Sequence, residues 1–467
     1  MKAPKIDEST ENLNTPTILL FGVMILFIAL LALFLSGGVE LKMMILLLGV
    51  ISSAICFFNT EMALYLIIFA MLFSPEFSLG GGLEEERSLV IRIEDVVIVI
   101  VFLSWVLKTT IYKGLGLIVR TPLNNAILIY ISATLLSTLW GSLVGEVNLV
   151  SGLLYVFKYM EYFLVFFLFV SNLEDRSQIK RFVVVAFIVA IFTALYAIIQ
   201  IPQGVRVSAP FEGTSGEPNT LGGYLILIIS VSAGLLMTLE DRKIKRYLIG
   251  VIALLSIPFV FTLSRSSYIA VIPMFITMFF FSKKKLILAA LMLILLVLSP
   301  FMLPERVKGR VTETFVPYPG YEGTETLLGK DLDPSTSARI TSFRHALSKW
   351  SEKPLLGWGV TGIGLIDSMY FRVLAETGFL GIAAFFYLIY RIIVFLYSTF
   401  KEARDRLLKG LSFGMLLATL ALLAHSIGAA TFIIVRIMEP FWFFMATIFL
   451  LSKIEKSTME ITVEDGQ

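Results

Sequence analysis

The chain is poor in the residues that build disulfides and metal centres: it has one cysteine, Cys56, and two histidines, His345 and His425. A lone cysteine excludes an intrachain disulfide and any multi-cysteine metal site. Neither histidine has a partner at metal-ligand spacing, so no metal and no cofactor is expected. Charge is scarce too, at 16% of residues against roughly 25% in soluble domains. The formal net charge of +3, from 38 basic and 35 acidic side chains, argues against a nucleic-acid binder. There is no fixed-period repeat and no low-complexity tract.

Apolar length is what the sequence has in abundance: 57% of its 467 residues are hydrophobic and 39 are phenylalanine. A bilayer core about 30 Å thick needs about 20 helical residues, because every buried backbone amide must be satisfied within its own segment. About fourteen stretches meet or approach that length. They are 16–36, 41–58, 60–74, 90–107, 123–143, 150–170, 182–201, 219–239, 246–263, 266–281, 285–303, 366–398, 410–428 and 432–452. The first is too long for the core of a secretory signal and is read as a retained helix. The expected fold is all-α, a polytopic transmembrane bundle of about 12–14 spans with no second large soluble domain. The expected divisions are a tail at 1–15, helices over 16–303, one long loop at 304–365, helices over 366–452 and a tail at 453–467.

Short loops rich in Lys and Arg prefer the cytoplasm. Alternate loops carry Lys108, Lys113 and Arg120; Arg176, Lys180 and Arg181; Arg242, Lys243, Lys245 and Arg246; Lys283, Lys284 and Lys285; and Lys401, Arg404, Arg406 and Lys409. The loops between them hold Glu84-Glu85-Glu86, Glu146, the stretch 202–218, Thr262 to Ser266, and 304–365. This parity places both termini in the cytoplasm, the protein in the cytoplasmic (inner) membrane, and the long loop outside. The first half of that loop, Pro304 to Asp333, reads as an irregular cover. Its second half reads as a surface helix that starts at Pro334-Ser335-Thr336-Ser337, repeats Ile340, Phe343, Leu347 and Trp350, and stops before Pro354. Gly357, Gly359, Gly362 and Gly364 then lead back into the membrane.

A charge at membrane depth costs about 2.5 kcal/mol or more, so each must be paired, snorkelling or functional. Lys158 with Glu161, and Arg436 with Glu439, are three residues apart and expected to pair along their own helices. Arg391 is expected to snorkel. Three clusters on the outer side resist such readings. In the first, Arg206 precedes Glu217-Pro218-Asn219-Thr220, which also suits a capped helix start. The second is Thr262-Leu263-Ser264-Arg265-Ser266-Ser267-Tyr268, with no acidic neighbour in sequence for Arg265; it either meets an anion or snorkels to headgroups. The third is Asp367-Ser368-Met369-Tyr370, continuing to Glu376-Thr377-Gly378. On one helix Asp367 and Tyr370 would share a face and Glu376 would point away. Asp367 also suits a helix N-cap, and Glu376 with Gly378 a helix contact.

Taken in order, these motifs resemble the O-antigen ligase and polymerase family of bacterial membrane glycosyltransferases. The resemblance runs over roughly residues 200–385. It rests on Arg206, Glu217-Pro218-Asn219, Ser264-Arg265-Ser266, Arg339 and Trp350, Pro354-Leu355-Leu356-Gly357-Trp358-Gly359, and Leu374-Ala375-Glu376-Thr377-Gly378-Phe379-Leu380-Gly381. Ligases of the family carry His-Asn where this chain has Asp367-Ser368, so ligase and polymerase both stay open. The resemblance implies a GT-C-like fold and an inverting, metal-independent transfer of a glycan from a polyprenyl diphosphate donor to a hydroxyl of a glycan or lipid acceptor at the outer face. Membrane lipids are the remaining expected partner. Arg206 and Arg265 would hold the diphosphate, since guanidinium groups bind phosphate oxygens bidentately. Asp367 would accept or orient the acceptor proton, and as an aspartate it is a weak base. Arg339, Glu217, Asn219, Ser266 and Tyr370 would contact substrate. A lipid-linked oligosaccharide transporter or flippase is the alternative, and an envelope scaffold a further one. Transporters, however, spread charged positions through the membrane depth, whereas here the unexplained ones gather on one side.

Overall fold

The computed structural model describes residues 59–78, 90–111, 119–212, 216–282, 285–302, 305, 308–309, 326–327 and 330–464. Its helices are α1 (Thr60–Phe73), α2 (Ile93–Ile111), α3 (Asn124–Leu143), α4 (Leu149–Asn172), α5 (Arg176–Gln200), α6 (Pro218–Thr238) and α7 (Arg242–Phe261). They continue with α8 (Arg265–Phe281), α9 (Lys285–Met302), α10 (Pro334–Glu352), α11 (Met369–Glu402), α12 (Arg406–His425) and α13 (Val435–Glu464). Two small antiparallel hairpins pair Glu76–Ser78 with Val90–Arg92 and Thr326–Leu327 with Lys330–Asp331. Eight helices among the described residues are long and apolar enough to cross a membrane, while α1 and α8 are shorter apolar helices. A helix stands at each expected span from 60–74 onward. The expected spans 16–36 and 41–58, Cys56 and most of the expected cover lie outside the described residues.

Polar side chains define where the helices start. Asn59, Asn148, Asp241, Ser264 and Asp405 each accept a hydrogen bond from a backbone N–H of the following first turn, satisfying donors that have no intrahelical partner. The core is built around α6, buried along almost its whole length. It crosses α12 closely because Gly234 faces the backbone of Gly414 and Gly414 faces that of Val231, so small residues let the two main chains meet. A second layer is aromatic. Phe163 and Phe169 of α4 meet Trp442 and Phe443 of α13 edge to face, with centroids 4.8 and 4.9 Å apart.

Ion pairs sort the chain into two ends. One end joins Arg181 to Glu61 at 2.9 Å, Arg176 to Asp405 at 2.7 Å, and Arg406 to Glu240. Glu455 near the end of α13 accepts the N–H groups of Arg404 and Asp405 there. The opposite end gathers Glu146 with Lys353 at 3.1 Å, Arg265 with Asp333, and Arg339 with Asp367. These are the two sets of loops that the charge parity separates.

The surface helix forms as expected, from Pro334 to Glu352, with Asp333 at its N-cap position. Its stripe docks on the start of α11, where Phe343 stacks on Phe371 at 4.5 Å. The following loop explains the glycines. Gly357 and Gly359 take positive φ, and residues 354–359 run beside a break in α11 at Gly378, whose φ is +64°. Trp358 and Gly359 donate to the carbonyls of Ala375 and Glu376, and Phe379 donates back to Pro354. The contact expected of Gly378 is therefore made with a loop and not with a neighbouring helix.

A Cβ at Gly378 would overlap the Leu355 carbonyl as well as strain the backbone. Gly378→Ala should cost about 1–3 kcal/mol and lower the thermal midpoint in detergent. Gly250→Ala, where a Cβ meets nothing within 4 Å, should leave the midpoint unchanged or raise it slightly. Equal midpoints for both variants would show that the break at Gly378 is dispensable.

Candidate functional site

The site is built on the turn between α7 and α8. Leu263 adopts a left-handed φ of +52°, which lets the chain reverse within three residues. Ser264 caps α8 by accepting the Ser267 N–H at 3.2 Å, and its own hydroxyl donates to Asn219 Oδ1 at 2.7 Å. Asn219, expected to contact substrate, thus locks the first turn of α6 to the cap of α8. Arg206 lies on the same turn: its Nε donates to the Thr262 carbonyl at 3.1 Å and its Nη2 to that of Leu263 at 3.4 Å. Arg206 is therefore fastened to the same turn from which Arg265 projects two residues later.

Arg265 does have an acidic partner, which the sequence hides by placing it 68 residues downstream. Its Nη1 and Nη2 donate to Asp333 Oδ1 and Oδ2, both at 2.9 Å, and Nη1 also donates to the Thr336 hydroxyl at 2.9 Å. The side chains of Arg265 and Asp333 are 15% and 6% exposed, so this is a largely desolvated fork-to-fork pair and not a snorkelling cation. It ties the N-terminus of the surface helix to that of α8.

The next residue, Ser266, continues the arrangement. A Cβ at Gly428 would overlap the Ser266 hydroxyl and come within 3.6 Å of Arg339 Nη1, so the missing side chain leaves a niche flanked by both. Arg339 Nε reaches Asp367 Oδ2 at 3.5 Å. Asp367 stays 56% exposed and does not cap α11, a position taken by Ser368. The N–H of Met369 instead donates to the carbonyl of Ser426, which fixes the Asp367 turn beside the niche.

Two expectations fail here, at Tyr370 and at Glu217, while Glu376 makes its expected helix contact, its carbonyl accepting from the Ser137 hydroxyl of α3 at 2.8 Å. Tyr370 turns into the bundle, its hydroxyl donating to the Leu423 carbonyl at 2.6 Å and its ring parallel to Phe386, so it does not share a face with Asp367. Glu217 accepts from the Thr220 hydroxyl at 3.1 Å, one turn into its own helix, and not from an arginine. Glu376 pairs with Arg372 at 3.4 Å, both buried, because four-residue spacing puts them on one helical face. His345 is exposed on the surface helix, and His425 is buried against Thr431.

Of the two pairs expected along single helices, one forms and one does not. Lys158 meets Glu161 at 3.7 Å but makes a shorter contact with Asp95 of α2. Arg436 donates instead to the carbonyls of Leu72, Ser74, Pro210 and Phe211, clamping three segments together. Both Glu439 carboxylate oxygens are buried without a hydrogen-bond partner.

The bundle and its one-sided polar site define a multi-pass helical membrane protein. Within it, residues 249–386 match the family described as O-antigen ligase. That segment contains Ser264, Arg265, Ser266, Asp333, Arg339 and Asp367, and the family resemblance is thus shown for the part of the chain that carries most of the site. No curated protein matches the chain.

Glu212 supports the site from the side. It accepts the N–H groups of Ala209 and Glu217 at 3.1 and 2.9 Å. Burial pushes its carboxyl up to about 7, against the opposing pull of the Arg436 guanidinium. A folded value above the ordinary one means that the folded state holds this proton more tightly. Stability from this group is therefore present below its ordinary value of 4.5 and lost as pH rises through about 7. Glu212→Gln should flatten that part of the stability profile, read as thermal midpoint against pH; an unchanged slope would exclude the assignment.

Proposed function

We propose that the protein transfers a glycan from a polyprenyl diphosphate donor to a hydroxyl of a glycan or lipid acceptor at the outer face of the cytoplasmic membrane, with both termini inside. The reading is carried by one observation. Arg206, Arg265, Ser266, Arg339 and Asp367, drawn from four separate stretches of chain, gather at the end of the bundle opposite the lysine- and arginine-rich loops: Arg206 on the turn before Arg265, Ser266 and Arg339 flanking Gly428, and Arg339 on Asp367. The match of residues 249–386 to the O-antigen ligase family supports this class of reaction.

Guanidinium groups are suited to the donor head because they stay charged and present parallel N–H donors to phosphate oxygens. In the transfer, the anomeric C–O bond to the diphosphate breaks and a C–O bond to the acceptor hydroxyl forms, with inversion if the attack is direct. The polyprenyl diphosphate leaves with the electron pair, and its growing charge is met by Arg265 and Arg206. That electrostatic role needs no metal ion. The acceptor's proton passes to Asp367 or through it to solvent, with Arg339 holding the carboxylate in place. The donor must compete with Asp333 for the Arg265 fork, so Asp333 screens the cation until an anion of higher charge arrives. A lipid-linked oligosaccharide flippase would need the same donor contacts but no exposed carboxylate beside them.

The test is reconstitution with a polyprenyl-diphosphate oligosaccharide. A ladder on the same lipid means polymerase, and one addition to a second molecule means ligase. Arg265→Lys should lower turnover at least about 100-fold, because a point charge does not replace the fork. Asp367→Asn should lower turnover by about 10²–10⁴ with donor binding nearly unchanged. Near-normal transfer by both variants would remove the proposal.

A further inference from the structure

The end of the bundle opposite the glycan site holds a cavity of about 530 Å³ between α11, α13 and the segment before α3. Arg120, Arg391, Lys453 and Lys456 line it, against two carboxylates, Glu402 and Glu460. The wall is apolar where Val394, Phe395 and Phe449 face it. This division follows from helical periodicity. Arg391, Val394, Ser398 and Glu402 fall on one stripe of α11, and Lys453, Lys456, Ser457 and Glu460 on one stripe of α13.

Each cation stands where a free anion would be useful. Arg391 donates to the Pro122 carbonyl at 2.9 Å and to the Tyr387 hydroxyl at 3.3 Å, so its guanidinium is positioned by neutral groups. Arg120, Lys453 and Lys456 form no ion pair among the described residues, and all three are exposed. Four cations facing two carboxylates leave an uncompensated positive charge above an apolar wall. The ligand that matches both halves is an amphiphile with an anionic head and alkyl chains.

We propose that this cavity binds the phosphodiester headgroup of an anionic phospholipid, with its acyl chains along Phe395 and Phe449. The lipid bridges α11 to α13 at the end where Glu455 already ties α13 to the Arg404–Asp405 turn. The site is distinct from the glycan site and does not depend on the proposed transfer.

The test uses the full chain in nanodiscs of phosphatidylcholine doped with phosphatidylglycerol, followed by detergent extraction and mass analysis of retained lipid. Phosphatidylglycerol should be retained in preference to phosphatidylcholine. Lys456→Gln should loosen it about fivefold, and Arg120→Gln combined with Lys453→Gln and Lys456→Gln by on the order of a hundredfold. Lys243→Gln with Lys245→Gln and Arg246→Gln, at the same end but outside the cavity, should retain the lipid as the parent does. Equal retention by the cavity variants, an equal loss in the control variant, or equal retention of phosphatidylcholine would overturn the site. Displacement of the lipid by millimolar inorganic phosphate would assign the cavity to the free ion and overturn the lipid reading as well.

Discussion

Arg265 opens a helix in an apolar bundle, where an isolated cation would be costly, and it is held there by two parallel hydrogen bonds to Asp333. That pair does two things at once. It neutralises the charge of Arg265, and it fastens the surface helix, through its first residues, to the N-terminus of α8. The remaining polar contacts depend on that placement. Only with α10 seated there can Arg339, in its second turn, reach Asp367 and the niche at Gly428. Breaking a largely buried pair by removing one partner leaves the other charge stranded, an effect of about 3–5 kcal/mol in buried cases.

The backbone around the pair is arranged to hold it still. A strained turn at Leu263, a hydroxyl chain from Ser267 through Ser264 to Asn219, and the carbonyls that receive Arg206 all converge on three consecutive residues. Behind them, close glycine crossings between α6 and α12 and the loop packed into the break at Gly378 remove slack from the helices that carry the site. The proposed binding of a diphosphate would draw on this rigidity, because electrostatic stabilisation is greatest when the donors do not have to reorganise.

Much of this architecture is legible in the sequence because bilayer thickness is a severe constraint. Apolar length locates the helices, alternating basic loops separate the two ends, and Pro334 with the hydrophobic stripe announces the surface helix. Through-space partners are not legible in the same way. Asp333 reads as a helix start, and nothing local reveals that Arg265 lies across from it. Arg436 and Glu439 have the spacing of an intrahelical pair, yet four backbone carbonyls from other segments compete successfully for the guanidinium. Tyr370 misleads for a related reason: the helix begins after Asp367, so helical spacing does not apply across that boundary. Gly428 gives no signal at all, since its importance lies in the side chain it lacks.

The structural pairing of Arg265 and its proposed substrate role can be separated. Reversing the pair, with Arg265→Asp and Asp333→Arg in one chain, keeps the ion pair but moves the cation onto the surface helix. Thermal stability and glycan transfer measured on both single variants and the double variant form the most direct test. Stability should fall in each single variant and recover in the double, while transfer stays lost because no guanidinium remains on α8. Transfer recovering together with stability would contradict the substrate role, leaving Arg265 as a fastening and nothing more.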